Sequence, residues 1–155
     1  GGPAAVTASV SWLVPKPHTP LQWAAQPTAD YFHHARRLLR QAAMQTRSAV
    51  RIKTHRIESS IIEAVIARGD RRLASAIEAV YALGARLDAW EERFNYDLWQ
   101  RAFDQTGIDP AFYAHRERLM TEVLPWDHIR NSRDREYLAS QYEDLFVQLG
   151  RPAAV

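Results

Sequence analysis

The amino-acid sequence predicts an α+β fold that is mainly helical. Residues 4–13 and 48–54 are two runs of short and β-branched residues, a composition typical of strands. Between them, from Thr28 onward, apolar residues recur every three or four positions, as they do in an amphipathic helix. After His55 the helical spacing continues almost to the end of the chain. We therefore expect one strand–helix–strand unit followed by helices alone.

The predicted first strand leads into a loop that contains three prolines within six positions. This loop, residues 13–23, reads LVPKPHTPLQW. Each proline fixes its own φ and pushes the preceding residue toward extended geometry, so we expect the loop to be stiff and extended. Stiff polar loops that follow strands build the sites of many α/β enzymes. The candidate substrate- or cofactor-binding residues are Lys16, His18, Thr19 and Gln22. The alternative is that they only shape a corner of the fold.

The strand–helix–strand unit has recognisable parts. Thr28 is the expected N-cap of its helix, because a threonine hydroxyl can accept a hydrogen bond from the first turn. In the second strand Val50, Ile52 and Thr54 alternate with basic residues, which places them on one face. A strand–helix–strand order predicts parallel strands joined by a right-handed crossover. Since two such strands alone leave both sheet edges open, we expect the chain to self-associate.

Basic side chains are concentrated in the same part of the chain. The net charge is only +2 and the isoelectric point about 9.2, so the basic character of the whole chain is mild. These residues permit contact with RNA phosphates, but the aromatic–basic interleaving typical of single-strand binding is missing. A solvated face is therefore the simpler interpretation. The cluster consists of Arg36, Arg37, Arg40, Arg47, Arg51 and Lys53.

Local signals also mark the ends of the later helices. Gly69 is expected to end one helix in the left-handed conformation, and Asp70 to cap the next. Asn95 and Asp109 are the expected N-caps of two further helices. Ser132 is expected to begin the last helix. The tryptophans expected in the core or between helices are Trp90, Trp99 and Trp126.

The junction at residues 68–72 reads RGDRR and has two interpretations. The start of a helix exposes free backbone N–H groups, so Arg68, Arg71 and Arg72 are candidate anion-binding residues. Alternatively, the glycine ends a helix and the arginines pair with carboxylates such as those of Glu63 and Asp70. We favour the second interpretation, because arginines at the start of a helix oppose its dipole and need a specific partner.

Composition excludes several classes of site. The chain has no cysteine, which excludes disulfides, thiolate metal sites and thiol catalysis. Asp30 and His34 lie one helical turn apart, but no established metal-binding motif is present, and we assign neither a metal site nor a catalytic residue. No apolar run is as long as a membrane span and no signal peptide is visible, so we expect a cytoplasmic protein without membrane contact.

Three segments together resemble the signature blocks of one family. Residues 14–23 read VPKPHTPLQW, residues 63–73 read EAVIARGDRRL, and residues 124–129 read LPWDHI. In this order and rough spacing they resemble a family of large radical SAM proteins that carry a cobalamin-binding-like domain before the radical SAM barrel. The resemblance covers about residues 4–130.

This resemblance implies that residues 1–55 are the last strand–helix–strand of a radical SAM barrel and residues 56–155 a C-terminal helical extension. It implies S-adenosylmethionine and a 4Fe-4S cluster for the parent protein, with cobalamin left open, and the rest of the barrel as partner. Such a cluster is held by the cysteines of a CxxxCxxC motif, which this chain lacks.

We therefore expect the C-terminal part of an oxidoreductase- or transferase-type enzyme of unidentified substrate. It would contribute a barrel-end substrate or cofactor loop and a helical closure, and it would be inactive alone. The alternative is a helical module that binds RNA or a partner protein.

Overall fold

The structure, a computed structural model, describes residues 5–46 and 49–150 as an α+β fold that is mainly helical, which confirms the predicted class. The proline-rich loop is not extended throughout as predicted, because its last four residues form a short 3₁₀ turn, Pro20–Trp23. The elements in chain order are β1 (Ala5–Val10), α1 (Ala29–Gln45), β2 (Ala49–Thr54), α2 (Ile57–Ala67), α3 (Leu73–Ala82), α4 (Tyr96–Thr106), α5 (Pro110–Ala114) and α6 (Arg135–Gln148).

The two strands pair in parallel, as the strand–helix–strand order predicts. Their register runs from Ala5 opposite Ala49 to Val10 opposite Thr54. Because the strands are parallel and paired over their whole length, their carboxyl ends lie side by side. The segments that follow β1 and β2 therefore begin at the same edge of the sheet. β1 is only partly covered, and the side chain of Val6 is 52% exposed.

β1 ends earlier than the sequence predicts, because Trp12 turns into the interior. Its indole Nε1 donates a hydrogen bond to the carbonyl of His55, at 2.8 Å, which ties the ends of the two strands together. The indole also packs on Phe32, with 4.9 Å between ring centroids. With Ile57 and Ile61 of α2 these rings form a small core. This core joins the strand–helix–strand unit to α2. The predicted division into two domains at residue 55 stays a prediction.

The largest core cluster is built from α2, α3, α4 and α5, and the last two of these helices begin at their predicted caps. Asn95 accepts a hydrogen bond from the N–H of Asp97 at 3.0 Å. Asp109 likewise accepts from Ala111 at 2.9 Å. These capping bonds fix where α4 and α5 begin. The fully buried members of the cluster, with no measurable exposure, are Ala64, Val65, Ala76, Ala102 and Ala114.

Three predictions of helix boundaries are wrong. Asp70 is not the cap of α3, whose N-cap is Arg72 and has no side-chain capping bond. The last helix begins at Arg135 instead of Ser132, because Asp134 accepts a hydrogen bond from the N–H of Tyr137 at 2.8 Å and caps it there. Gly69 does not take a positive φ, whereas Gly84 does.

Gly69 is instead required for space. A Cβ atom there would lie 2.0 Å from Cδ1 of Leu73 and 3.0 Å from the carbonyl oxygen of Val65. A residue with a Cβ atom at this position would therefore force the buried side chain of Leu73 to move.

A second aromatic core holds α6 against the proline-rich loop. Trp23 is fully buried and lies 5.6 Å from the ring of Tyr142 in α6. Leu124, Trp126 and Leu138 complete the cluster. Trp99 and Trp126 are buried as predicted, but the prediction for Trp90 is wrong. The side chain of Trp90 is 61% exposed, because it lies in the irregular segment between α3 and α4.

Candidate functional site

A cavity of about 820 Å³ opens at the carboxyl edge of the two strands. The proline-rich loop, the residues after β2, α2 and the segment before α4 all contribute to its wall. This edge is where parallel α/β structures commonly place their ligands. We call this cavity the strand-end pocket. Its principal polar and aromatic residues are Lys16, His55, Ser59, Glu63, Asp88 and Trp99.

An ion pair lies at the rim of the strand-end pocket. Lys16 Nζ pairs with Glu63 Oε1, and the two side chains are 43% and 53% exposed. A pair so accessible to solvent contributes little to stability. Both charges therefore remain available to a polar ligand, and the pair joins the proline-rich loop to α2.

Asp88 is the pocket residue that sequence reasoning missed. Its Oδ2 accepts a hydrogen bond from the indole of Trp99 at 2.8 Å, and its Oδ1 is shielded from solvent without a hydrogen-bond partner. Shielding a carboxylate oxygen from solvent without a hydrogen-bond donor costs free energy. The unpaired Oδ1 of Asp88 in the pocket wall therefore needs an explanation. No spacing pattern marks Asp88, because it follows the irregular turn at Leu87, whose φ is 59°.

The four loop residues predicted to bind a substrate or cofactor do not face one cavity. Lys16 lines the strand-end pocket. His18 and Gln22 line a smaller cavity of about 300 Å³ beside the start of α6. Thr19 serves the loop itself, since its hydroxyl donates to the carbonyl of Lys16 at 2.8 Å. The structure thus separates the loop residues into two places.

Gln22 has a clear structural role. It is 2% exposed, and its Oε1 accepts hydrogen bonds from Trp126 Nε1 at 2.7 Å and from the backbone N–H of His18 at 3.1 Å. The second bond holds His18 at a φ of 57°, a conformation that few residues other than glycine adopt.

Arg68, a candidate anion-binding residue, lies in the interior with no measurable exposure. Its guanidinium donates hydrogen bonds to the carbonyls of Ala24, Ala114 and Arg116, the last at 2.8 Å. Burial lowers the pKa of Arg68 to about 10, with a further contribution from the positive charge of Arg118. Three backbone carbonyl oxygens therefore already accept hydrogen bonds from the guanidinium that the sequence suggested for binding an anion.

Arg72 also has a partner within the chain. Its Nη2 lies 2.6 Å from Asp70 Oδ2, while Asp70 Oδ1 accepts from the backbone N–H of Arg72 at 2.9 Å. The hydrogen bond from the Arg72 side chain holds the pKa of Asp70 at about 2. Arg71 is exposed and lines a shallow cavity with His128. Anion binding at this junction stays a prediction. The pair of Arg72 with Asp70 is the one that the structural alternative expects, whereas Arg68 donates to backbone carbonyls and Glu63 pairs with Lys16.

The three sequence blocks meet in space. Lys16 of the first block pairs with Glu63 of the second. Arg68 of the second block donates to Ala24, which directly follows the first. Gln22 of the first block accepts from Trp126 of the third, 104 positions away. The three segments therefore form one connected structure around the proline-rich loop.

In the part of the chain that the structure describes, no group of three or more histidine, aspartate or glutamate residues is arranged to hold a metal ion. Nor does any helix in that part have the length and apolar character needed to span a membrane. No protein-family model matches the chain, and comparisons with curated proteins and with solved structures also find no match. The family suggested by the three sequence blocks therefore stays a proposal.

Proposed function

We propose that the chain is the C-terminal part of a radical SAM iron–sulfur enzyme, to which it contributes a barrel-end binding loop and a helical closure. The observation that carries this proposal is the meeting of the three sequence blocks around the proline-rich loop. The hydrogen bond between Gln22 and Trp126 and the ion pair between Lys16 and Glu63 join them. The parallel order of β1 and β2 supports it as well, since the strands of such a barrel are parallel.

In this proposal the strand-end pocket receives part of a substrate or cofactor from the barrel mouth. Lys16 offers a cation to an anionic group of the ligand, and Glu63 holds the lysine in place. Trp12 and Trp99 are both less than 10% exposed and give the pocket rigid aromatic walls. Rigid walls reduce the conformational entropy that is lost when a ligand binds.

The residues of this chain do not fit an iron–sulfur cluster. Thiolates hold the irons of such clusters, and the chain contains no cysteine. In the proposed parent, the 4Fe-4S cluster would be bound by another part of the same polypeptide. No step of the radical chemistry is therefore assigned to the residues described above, whose proposed part is binding and closure.

The gene sequence upstream of residue 1 is the first test. We expect the same reading frame to encode a CxxxCxxC motif. The parent protein, purified without oxygen, should then contain iron and sulfide in the ratio of a four-iron cluster and cleave S-adenosylmethionine when reduced. A reading frame without that motif would refute the proposal. Salt-dependent binding of tRNA by the 155-residue chain would then favour the alternative, a nucleic-acid-binding module.

The role of the strand-end pocket is tested by Lys16→Met in the parent protein. We expect turnover to fall by about tenfold or more. The melting temperature should change little, because the Lys16 side chain is 43% exposed and its ion pair with Glu63 is accessible to solvent. Lys53→Met is the matched control, since Lys53 is an exposed lysine on β2 that does not line the pocket. Equal loss of turnover in both variants would show that the pocket has no special role.

A further inference from the structure

We infer a second binding site, which takes the phosphate group of a small ligand, in the cavity between the proline-rich loop and the start of α6. This cavity has a volume of about 300 Å³ and is separate from the strand-end pocket. We call it the loop–α6 cavity. The residues that carry the inference are His18, Gln22, Asp127, Arg130, Arg133 and Arg135, all of which line it.

The carboxylates of the loop–α6 cavity are already engaged within the chain. Asp127 forms an ion pair with Arg135, and it also accepts a hydrogen bond from the N–H of Leu124 at 2.7 Å. Asp134 accepts from the N–H of Tyr137 at 2.8 Å, which satisfies the start of α6. The N-terminus of the helix is thus capped by the chain itself and is not the proposed phosphate contact.

The positive charges of two arginines in the cavity are not balanced by an ion pair among the described residues. Neither Arg130 nor Arg133 forms an ion pair with a carboxylate among residues 5–46 and 49–150. Both are exposed, and the guanidinium of Arg133 lies 4.5 Å from the ring centroid of Tyr137. A guanidinium presents paired N–H donors that match phosphate oxygens. Two of them beside one cavity favour a phosphate group over a neutral ligand.

His18, which also lines this cavity, supplies an independent observation. Its φ of 57° is held by the hydrogen bond from its N–H to Gln22 Oε1. Its ring Nε2 is shielded from solvent and has no hydrogen-bond partner. Strained backbone and an unpaired polar atom at one residue both call for an explanation. A phosphate oxygen that accepts from Nε2–H provides one, once the side chains that shield this nitrogen move aside and the exposed arginines contact the ligand.

The test is a titration of the 155-residue chain with inorganic phosphate at constant ionic strength, followed by amide and histidine-ring NMR signals. We expect shifts at His18 and around Arg130 and Arg133. The variants Arg130→Gln and Arg133→Gln should each weaken phosphate binding by about tenfold. Arg101→Gln is the matched control. Arg101 is exposed on α4 and is not among the residues that line this cavity, so the variant should bind phosphate as the unsubstituted chain does.

His18→Gly separates binding from folding. Glycine adopts a positive φ without strain, so we expect the melting temperature to stay the same or rise while phosphate affinity falls. Unchanged affinity in this variant would overturn the inference. So would equal weakening by Arg101→Gln, which would indicate general charge attraction. Shifts confined to residues 68–72 would place the anion at the α2–α3 junction instead and would also overturn it.

Discussion

Arg68 is a charged residue that the fold uses as an internal brace. With no measurable exposure, it links the end of α2 to the carbonyls of Ala24, Ala114 and Arg116. Arg118 reinforces the arrangement, because its Nη2 donates to the carbonyl of Arg68 at 2.6 Å. The planar guanidinium reaches several acceptors at once, which a lysine ammonium on a single stem does not reproduce.

Replacing Arg68 by lysine should therefore destabilise the chain although the charge is kept. We expect a loss of about 2–4 kcal/mol in the free energy of unfolding, because buried carbonyls lose their donors. Urea denaturation monitored by circular dichroism measures it. Arg71→Lys is the control and should change stability by less than about 0.5 kcal/mol, since Arg71 is exposed. Equal stability of the two variants would contradict the bracing role.

Asp70 gives the α2–α3 junction a defined dependence on pH. The hydrogen bond from Arg72 lowers the pKa of Asp70 from 3.8 to about 2 in the folded chain. Because the folded-state pKa is the lower one, the stabilisation is complete above pH 3.8 and is lost as the pH falls through about 2.

Asp70→Asn should lower the free energy of unfolding at neutral pH. It should also reduce the additional loss of that free energy as the pH falls from 3.8 to 2. Urea unfolding at a series of pH values checks this. Asp104→Asn provides the comparison, because Asp104 is exposed on α4. If Asp70→Asn and the unsubstituted chain lose equal free energy of unfolding between pH 3.8 and 2, the junction does not depend on the Asp70–Arg72 pair.

Two buried side-chain amides anchor the proline-rich loop to the rest of the fold. Gln26 is 1% exposed, and its Nε2 donates to the carbonyls of Leu13 and Ser60, both at 3.0 Å. Gln22 accepts from Trp126 on the other side of the loop. The loop is therefore fixed at both ends to elements distant in sequence, which keeps Lys16 and His18 at separate cavities.

A double-mutant cycle measures the connection between the loop and the segment before α6. We expect Gln22→Ala and Trp126→Phe to show a coupling free energy of about 1 kcal/mol, since each removes the same buried hydrogen bond. Gln22→Ala combined with Trp99→Phe is the control cycle. Trp99 belongs to a different core cluster, so those effects should add. Additivity in the first cycle would show that the bond contributes no net stability.

At the scale of the whole molecule, the residues that the structure describes combine three packed cores with a two-stranded sheet that is open at its edges. Within residues 5–46 and 49–150, β1 pairs on one side only, and its exposed residues carry no charge. Proteins commonly protect such an edge with charged residues, with proline or with another strand. In the proposed parent, the remaining barrel would cover it.

The 155-residue chain alone should therefore self-associate through β1. Light scattering across a dilution series is expected to show a mass above that of a monomer at high concentration. Val6→Lys should reduce the association, because a lysine on an edge strand opposes pairing. Met44→Lys is the matched control, since Met44 is an exposed apolar residue on α1 at 82% exposure. A monomer at every concentration would show that the edge needs no partner.

The sequence alone was sufficient to predict the fold class and the starts of three of the six helices among the described residues. Thr28, Asn95 and Asp109 cap helices as predicted, because a cap depends on a side chain and the backbone two or three residues away. The same reasoning failed at the last helix, where Ser132 and Asp134 are both suitable caps and local chemistry does not choose between them.

The site depended on contacts that local patterns do not contain. The proline-rich loop was identified from its composition, but the division of Lys16 and His18 between two cavities follows from the turn at His18. Asp88 and Arg68 acquired their roles only through partners elsewhere in the chain. Caps, periodicity and proline geometry act over a few residues and can be recognised in sequence. Burial and long-range hydrogen bonds arise only when distant segments pack, so tertiary structure alone decided which polar residues brace the fold and which line its cavities.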